Sequence, residues 1–171
     1  IISGHLYVHP TGRAHAEMTG IYADELIPDL KSLTDAVHSA DGKIVAQINH
    51  AGMHSNAPEL SEKIAPSDVS PPYIETPARA MTAIEIETLV DAFAQAARRA
   101  QQAGFDGVQI HGAHGYLIHQ FLSPLTNRRN DEYGGSSANR MRFAIDVYDA
   151  VRAVWPDELP IGIRVSATDW V

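Results

Sequence analysis

The segment GVQIHGAHGYLIHQFLSP, from Gly107 to Pro124, sets His111, His114, Tyr116 and His119 in close succession. Imidazoles can bind metal, move protons or donate hydrogen bonds near neutral pH, and a phenol carries a proton it can give up. His111 and His114 lie three apart, so on a helical turn they could share a face and a metal ion. No H-x-H or H-E-x-x-H string and no nearby pair of acids accompanies them, although metal-binding histidines usually keep such support. A Ser-His-Asp arrangement lacks a nucleophile-elbow signature. A third chemistry fits the spacing: two imidazoles donating to one substrate oxygen while Tyr116, two residues on, offers a proton. His119 reads as a packing or local capping residue.

Those side chains need elements to hold them. Three segments carry helical periodicity. Asp24 to Ala40 has Leu26, Leu30, Leu33 and Val37 on one face, Pro28 in the first turn and Gly42 as the stop. Thr82 to Ala103 opens with a T-x-x-E capping box (Thr82, Glu85), turns Ile86, Leu89, Val90, Phe93 and Ala97 inward, and ends at Gly104. Ser137 to Trp155 points Phe143, Val147, Val151 and Val154 inward and stops at Pro156. Between them lie short Val- and Ile-rich runs: IISGHLYV, Lys43 to Ile48, Asp106 to His111 and Pro160 to Ser166. Such runs suit buried parallel strands. Strand–helix alternation predicts an α/β fold. No G-x-G-x-x-G or P-loop follows any strand, which disfavours a doubly wound sheet. The expected fold is about half of a TIM (β/α)8 barrel, with four strands and three main helices. Two long insertions, Asn49 to Met81 and Gly112 to Ser136, follow strands and therefore sit at the end where barrels keep their chemistry.

Side chains alternate along a strand. Ile44, Ala46 and Ile48 share one parity, as do Val108 with Ile110, and Ile161 with Ile163 and Val165; these are expected to pack on helices. The opposite parity carries Gln47 and Asn49, Gln109 and His111, and Gly162, Arg164 and Ser166. Gln47, His111 and Arg164 are thereby expected to converge inside the barrel near its mouth. Any one of them could instead satisfy backbone groups or pair with a carboxylate. Underpaired buried polar groups cost roughly 1–3 kcal/mol each, so three at equivalent strand positions favour a site.

The 171 residues can bury a core in one domain, expected to span 1–171. A net charge of −8 with scattered basic residues gives no reason to expect a nucleic-acid partner. Cysteine is absent, which removes disulfides and thiolate metal sites and makes a reducing cytoplasm the simplest compartment. No segment reads as a membrane span or signal peptide, so no membrane association is expected. The chain opens within an apparent strand, which suggests a piece of something longer.

Three strings resemble the Old Yellow Enzyme family of FMN-dependent ene-reductases, in its bacterial NADH:flavin oxidoreductase branch. They are VHPTGR, QINHAG at Gln47 to Gly52, and IHGAHGYLIHQFLSPLTNRRNDEYGGSSANRMRF; GIRVSATD at Gly162 to Asp169 agrees as well. The resemblance implies a barrel that binds FMN noncovalently at its C-terminal mouth, with NAD(P)H as reductant and a small activated alkene (an enone, a nitroalkene or a related compound) as substrate. It implies that Gln47 bonds the flavin pyrimidine edge and that Arg164 lies beside flavin N1 and O2. It implies that His111 and His114 grip the substrate oxygen and that Tyr116 protonates the alkene. Gly4 and His5 fall where the family's backbone approaches the flavin. A metal-dependent barrel hydrolase and an inert fragment are the rival readings.

In the stretch after the histidines, DEYGG reads as a turn and Ser136 or Ser137 as the next helix cap. Arg128, Arg129, Arg140 and Arg142 are expected to tie the long loop to the barrel rim, and His50 and His54 to be structural or rim residues. The family usually continues AGR where this chain has Met53 after Ala51-Gly52, which touches a rim contact. The resemblance also places one family strand before residue 1 and the phosphate-gripping strands after Val171. The domain is thus expected to be truncated at both ends, to bind FMN weakly if at all, and to expose sheet edges that invite self-association.

Overall fold

A computed structural model describes residues 1–57, 60–69, 71–72, 74 and 76–169. Its main sheet contains β1 (Ile2–Tyr7), β2 (Val45–Asn49), β5 (Gly107–Gly112) and β6 (Ile161–Val165), all parallel and ordered β1-β2-β5-β6. Each strand is added on the same side as the one before. A doubly wound sheet would reverse its strand order at a switch point, and none occurs here. The crossovers run through α1 (Ile27–His38), α2 (Ala83–Gln102) and α4 (Ser137–Arg152).

The aliphatic strand parity meets these helices. Leu6, Ala46, Ile48, Val108 and Ile110 share one buried cluster with Leu30, Ile86, Leu89, Phe93, Phe143 and Val147. Removing side chains the size of Phe93 and Phe143 from water contributes about 1.5–3 kcal/mol each. Helix α2 begins where the sequence places it. Thr82 Oγ1 accepts from the Glu85 N–H at 3.3 Å, and Glu85 Oε2 accepts from the Thr82 N–H at 2.8 Å. Glu85 also takes Arg79, whose guanidinium lowers the Glu85 pKa to about 2. Ser136 caps α4 by accepting from the Asn139 N–H.

Several expectations shift. Helix α1 starts at Ile27 rather than Asp24, because Asp24–Leu26 winds as a 3-10 turn ahead of Pro28. Leu33, expected inward, is 42% exposed. Ile163 and Val165 were expected against helices, yet they are 44% and 52% exposed on edge strand β6. The two insertions also hold unexpected structure. The first pairs β3 (Lys63–Ala65) with β4 (Ala78–Ala80), and the second contains α3 (Leu117–Leu122). Among the described residues no helix is long and apolar enough to cross a membrane. Trp170 and Val171, part of the span assigned to one domain, lie outside the described residues.

Candidate active site

The face of the sheet opposite the helices carries polar rows. His5 lies across from Gln47, Gln47 from Gln109, and Gln109 from Gly162. One row nearer the C-terminal ends, Tyr7 lies across from Asn49; two residues beyond Gln109, His111 lies across from Arg164. Gln47 Nε2 donates to Gln109 Oε1 at 2.5 Å, and Asn49 Nδ2 donates to His5 Nδ1 at 3.1 Å. The Gln47 N–H is taken by Ser3 Oγ. Parity thus puts Gln47, His111 and Arg164 on one face, with Gln47 and His111 buried and Arg164 exposed. Gly4 sits apart, at the register shift between Ile2 and His5, with open space where a Cβ would project.

Beyond β5 the chain makes a tight turn into α3. His114 and Gly115 take successive left-handed conformations, φ 58° and 76°, and Tyr116 stands at the N-terminal boundary of α3 without a side-chain capping bond. A non-glycine residue held there stores on the order of 1–3 kcal/mol, although histidine is among the side chains that tolerate it best. The turn stacks the rings together. His111 meets His114 and Tyr116 edge-on, with centroids 5.2 and 5.3 Å apart. His5 stacks on Tyr116 at 5.2 Å, and His54 meets the same phenol at 6.2 Å. His5, His111, His114 and Tyr116 therefore form one continuous ring cluster beside Arg164.

Burial sets the protonation of this cluster. It lowers the His111 pKa from 6.5 to about 4, with His114, His5 and Arg164 adding like charge. His5 is lowered for the same first reason, and burial raises Tyr116 above its ordinary 10. At neutral pH the site offers an uncharged His111 imidazole and a phenol that keeps its proton. Two buried polar atoms facing this region, His111 Nδ1 and Asn49 Oδ1, have no protein partner. Among the described residues no group of three or more His, Asp or Glu side chains is arranged to hold a metal ion.

Surrounding histidines divide by role. His50 is fully buried, with Nδ1 accepting from the Gly52 N–H and Nε2 bonded to Thr11 Oγ1 at 2.9 Å; its pKa falls to about 3. His54 reaches the ring cluster. His119, expected to pack or cap locally, accepts from the Gly115 N–H through Nδ1 at 2.7 Å and meets Asp169 Oδ1 through Nε2 at 2.9 Å. Arg129 bonds the Pro66 and Met81 carbonyls, and Arg140 the Leu122 carbonyl, tying the long loop to its neighbours. Arg142 bonds the Glu132 carbonyl, whereas Arg128 ties in through its backbone N–H to Ser67 Oγ. Strand parity puts Gln109 and Ser166 on the polar side with His111 and Arg164 but gives neither a role, and the contacts of Ser166 and Asp169, 46 to 52 residues away, show in no local pattern.

The NADH:flavin oxidoreductase / NADH oxidase family profile matches residues 1–171. An NADPH dehydrogenase of Clostridium acetobutylicum is 45% identical over 163 residues, covering 95% of this chain and 48% of that protein. Morphinone reductase superposes with a TM-score of 0.90 at 36% identity, over 96% of this chain and 50% of that one. An old yellow enzyme homologue from Zymomonas mobilis does so with a TM-score of 0.89 at 37% identity, over 96% and 49%. The chain thus spans about half the length of these relatives, and its three βα units and fourth strand are the corresponding half of their TIM barrel. The chain belongs to the NADH:flavin oxidoreductase / NADH oxidase family.

Proposed function

We propose that residues 1–171 form part of a single FMN-binding barrel domain that takes reducing equivalents from NAD(P)H and reduces activated alkenes such as enones or nitroalkenes. The observation that carries this reading is the His111–His114–Tyr116 ring cluster lying beside Arg164 on the open face of the sheet. That face fits a flat heterocycle. It offers the Gln47–Gln109 amides, an exposed guanidinium, a side-chain-free position at Gly162, and buried polar atoms awaiting partners. Bound FMN would supply the hydride carrier between NAD(P)H and the alkene.

The protein's own residues then divide the remaining work. Gln47 and Arg164 hold the heterocycle's polar edge, Arg164 by placing positive charge against it, while Gly4 and His5 border it. His111 and His114 donate N–H groups to the substrate oxygen. Donors of this kind are worth about 2.7–4 kcal/mol each when charge develops on that oxygen. Tyr116 gives its proton to the alkene carbon next to the one that receives hydride, which balances the reduction.

The test is an FMN titration followed by flavin fluorescence and the visible spectrum. In the full-length protein, saturable binding that Arg164→Ala abolishes is expected, with weaker binding or none by residues 1–171 alone. A protein that ignores FMN but shows chelator-sensitive hydrolysis would overturn the reading in favour of a metal enzyme.

A further inference from the structure

The strained turn that carries His114 and Tyr116 is held from outside by side chains that would touch neither substrate nor cofactor. The His114 N–H donates to Ser166 Oγ, the Gly115 N–H to His119 Nδ1, and Gln120 Nε2 to the Gly115 carbonyl. Because Nδ1 of His119 accepts, its proton sits on Nε2, which donates to Asp169 Oδ1. The other carboxylate oxygen takes the Ser123 hydroxyl at 2.7 Å. Ser123 itself follows α3, so one carboxylate joins the end of that helix to the imidazole on it. Ser166 and Asp169 both lie on the short segment leaving β6, the strand that carries Arg164. Second-layer pairs of this type fix the tautomer and orientation of an imidazole.

We infer that His119, oriented by Asp169 and Ser123, is the positioning residue of the turn. It fixes the Gly115 amide, and through it sets where the His114 imidazole and the Tyr116 phenol stand. The same contacts tie this turn to the Arg164 strand, so the proton-donating group and the cofactor-facing cation are placed by one network. This rests on the function proposed above for His114, Tyr116 and Arg164; the contacts themselves do not.

Two substitutions separate the ends of the imidazole. His119→Asn puts an amide oxygen where Nδ1 lies and is too short to reach Asp169. His119→Gln puts an amide nitrogen where Nε2 lies and leaves the Gly115 N–H without its acceptor. In the full-length FMN-loaded protein supplied with NADPH and 2-cyclohexen-1-one, His119→Gln is expected to lower kcat about a hundredfold, the scale of a small misplacement at a reacting centre. The KM for NADPH should not move, and His119→Asn should restore most of kcat. In nitrogen-15-labelled protein without FMN, the Gly115 amide proton should shift in His119→Gln and keep its wild-type position in His119→Asn. An unmoved Gly115 amide in His119→Gln, or a His119→Asn variant as slow as His119→Gln, would overturn the inference. A full-length wild type that binds no FMN sinks the proposed function alone, since the amide measurement still decides the positioning. If His119→Gln does not fold, Asp169→Ala is read by the same amide, with a shift expected and its absence contrary.

Discussion

Gln47 Nε2 and Gln109 Oε1 meet at 2.5 Å across the β2–β5 pair, on the face turned away from the helices. The bond fixes the orientation of both amides, because a glutamine that donates through its nitrogen presents its oxygen elsewhere. Gln47→Leu would leave the Gln109 oxygen without that donor. A loss of about 0.5–1.5 kcal/mol in urea unfolding is expected from the lost hydrogen bond. FMN affinity should fall as well. An unfolding midpoint and an FMN titration both equal to wild type would remove this amide pair from the site.

Tyr116 keeps its proton to a pH above that of an ordinary tyrosine because its surroundings disfavour the phenolate. Tyr116→Phe retains the ring that packs on His5 and His111 while deleting the proton. Alkene reduction should slow by about 10²–10⁴, the usual contribution of a positioned acid. Reduction of bound flavin by NADPH should proceed at the wild-type rate. Stopped-flow measurement of the two half-reactions distinguishes this from a general loss of fold, which would slow both.

Acid should weaken the protein before its carboxylates titrate. The folded-state pKa of His111 is near 4 and that of His50 near 3, against 6.5 for a free imidazole. As pH falls through 6.5 the unfolded chain takes up these protons and the folded chain does not. Stability present above pH 6.5 is therefore lost as pH falls toward about 4 for His111 and about 3 for His50. Glu85 titrates from 4.5 when unfolded to about 2 when folded, so its share is lost only at lower pH. Urea midpoints measured at pH 7, 6 and 5 should decline steadily. A flat series would show that these imidazoles reach water in the folded state.

Gly52 stands at φ 60°, with the Gln120 amide where a Cβ would project. Gly52→Ala combines left-handed strain with displacement of a side chain that bonds Ala51 O and Gly115 O. A cost of about 1–3 kcal/mol is expected from the backbone strain. Thermal unfolding reads the cost, and the Gly115 amide shift reads whether the turn has moved with Gln120.

The sequence made the frame of this molecule legible because its strongest signals are local. The Thr82–Glu85 box, the Phe93 face of α2 and the Val- and Ile-rich strands each announce themselves within a few residues. Strand parity alone brought Gln47, His111 and Arg164 to one face. What stayed hidden was short or distant. The three residues of β3 and of β4 are too few to show alternation, and the six of α3 too few to show a helical stripe. The outward placement of Ile163 and Val165 depends on β6 lying at the edge of the sheet, which alternation does not encode. His119 looked local because its neighbours are, whereas its orienting partner Asp169 lies 50 residues on.

The left-handed φ at His114 also restricts what evolution or a library could place there. Two filters act at once on that codon. The backbone admits glycine, asparagine, aspartate and histidine far more readily than β-branched or bulky residues. The role proposed for this position, donating to a substrate oxygen, requires an N–H on a short side chain, which removes glycine and aspartate. Asparagine alone passes both filters beside histidine, so a saturation library at this codon should return active clones encoding only those two.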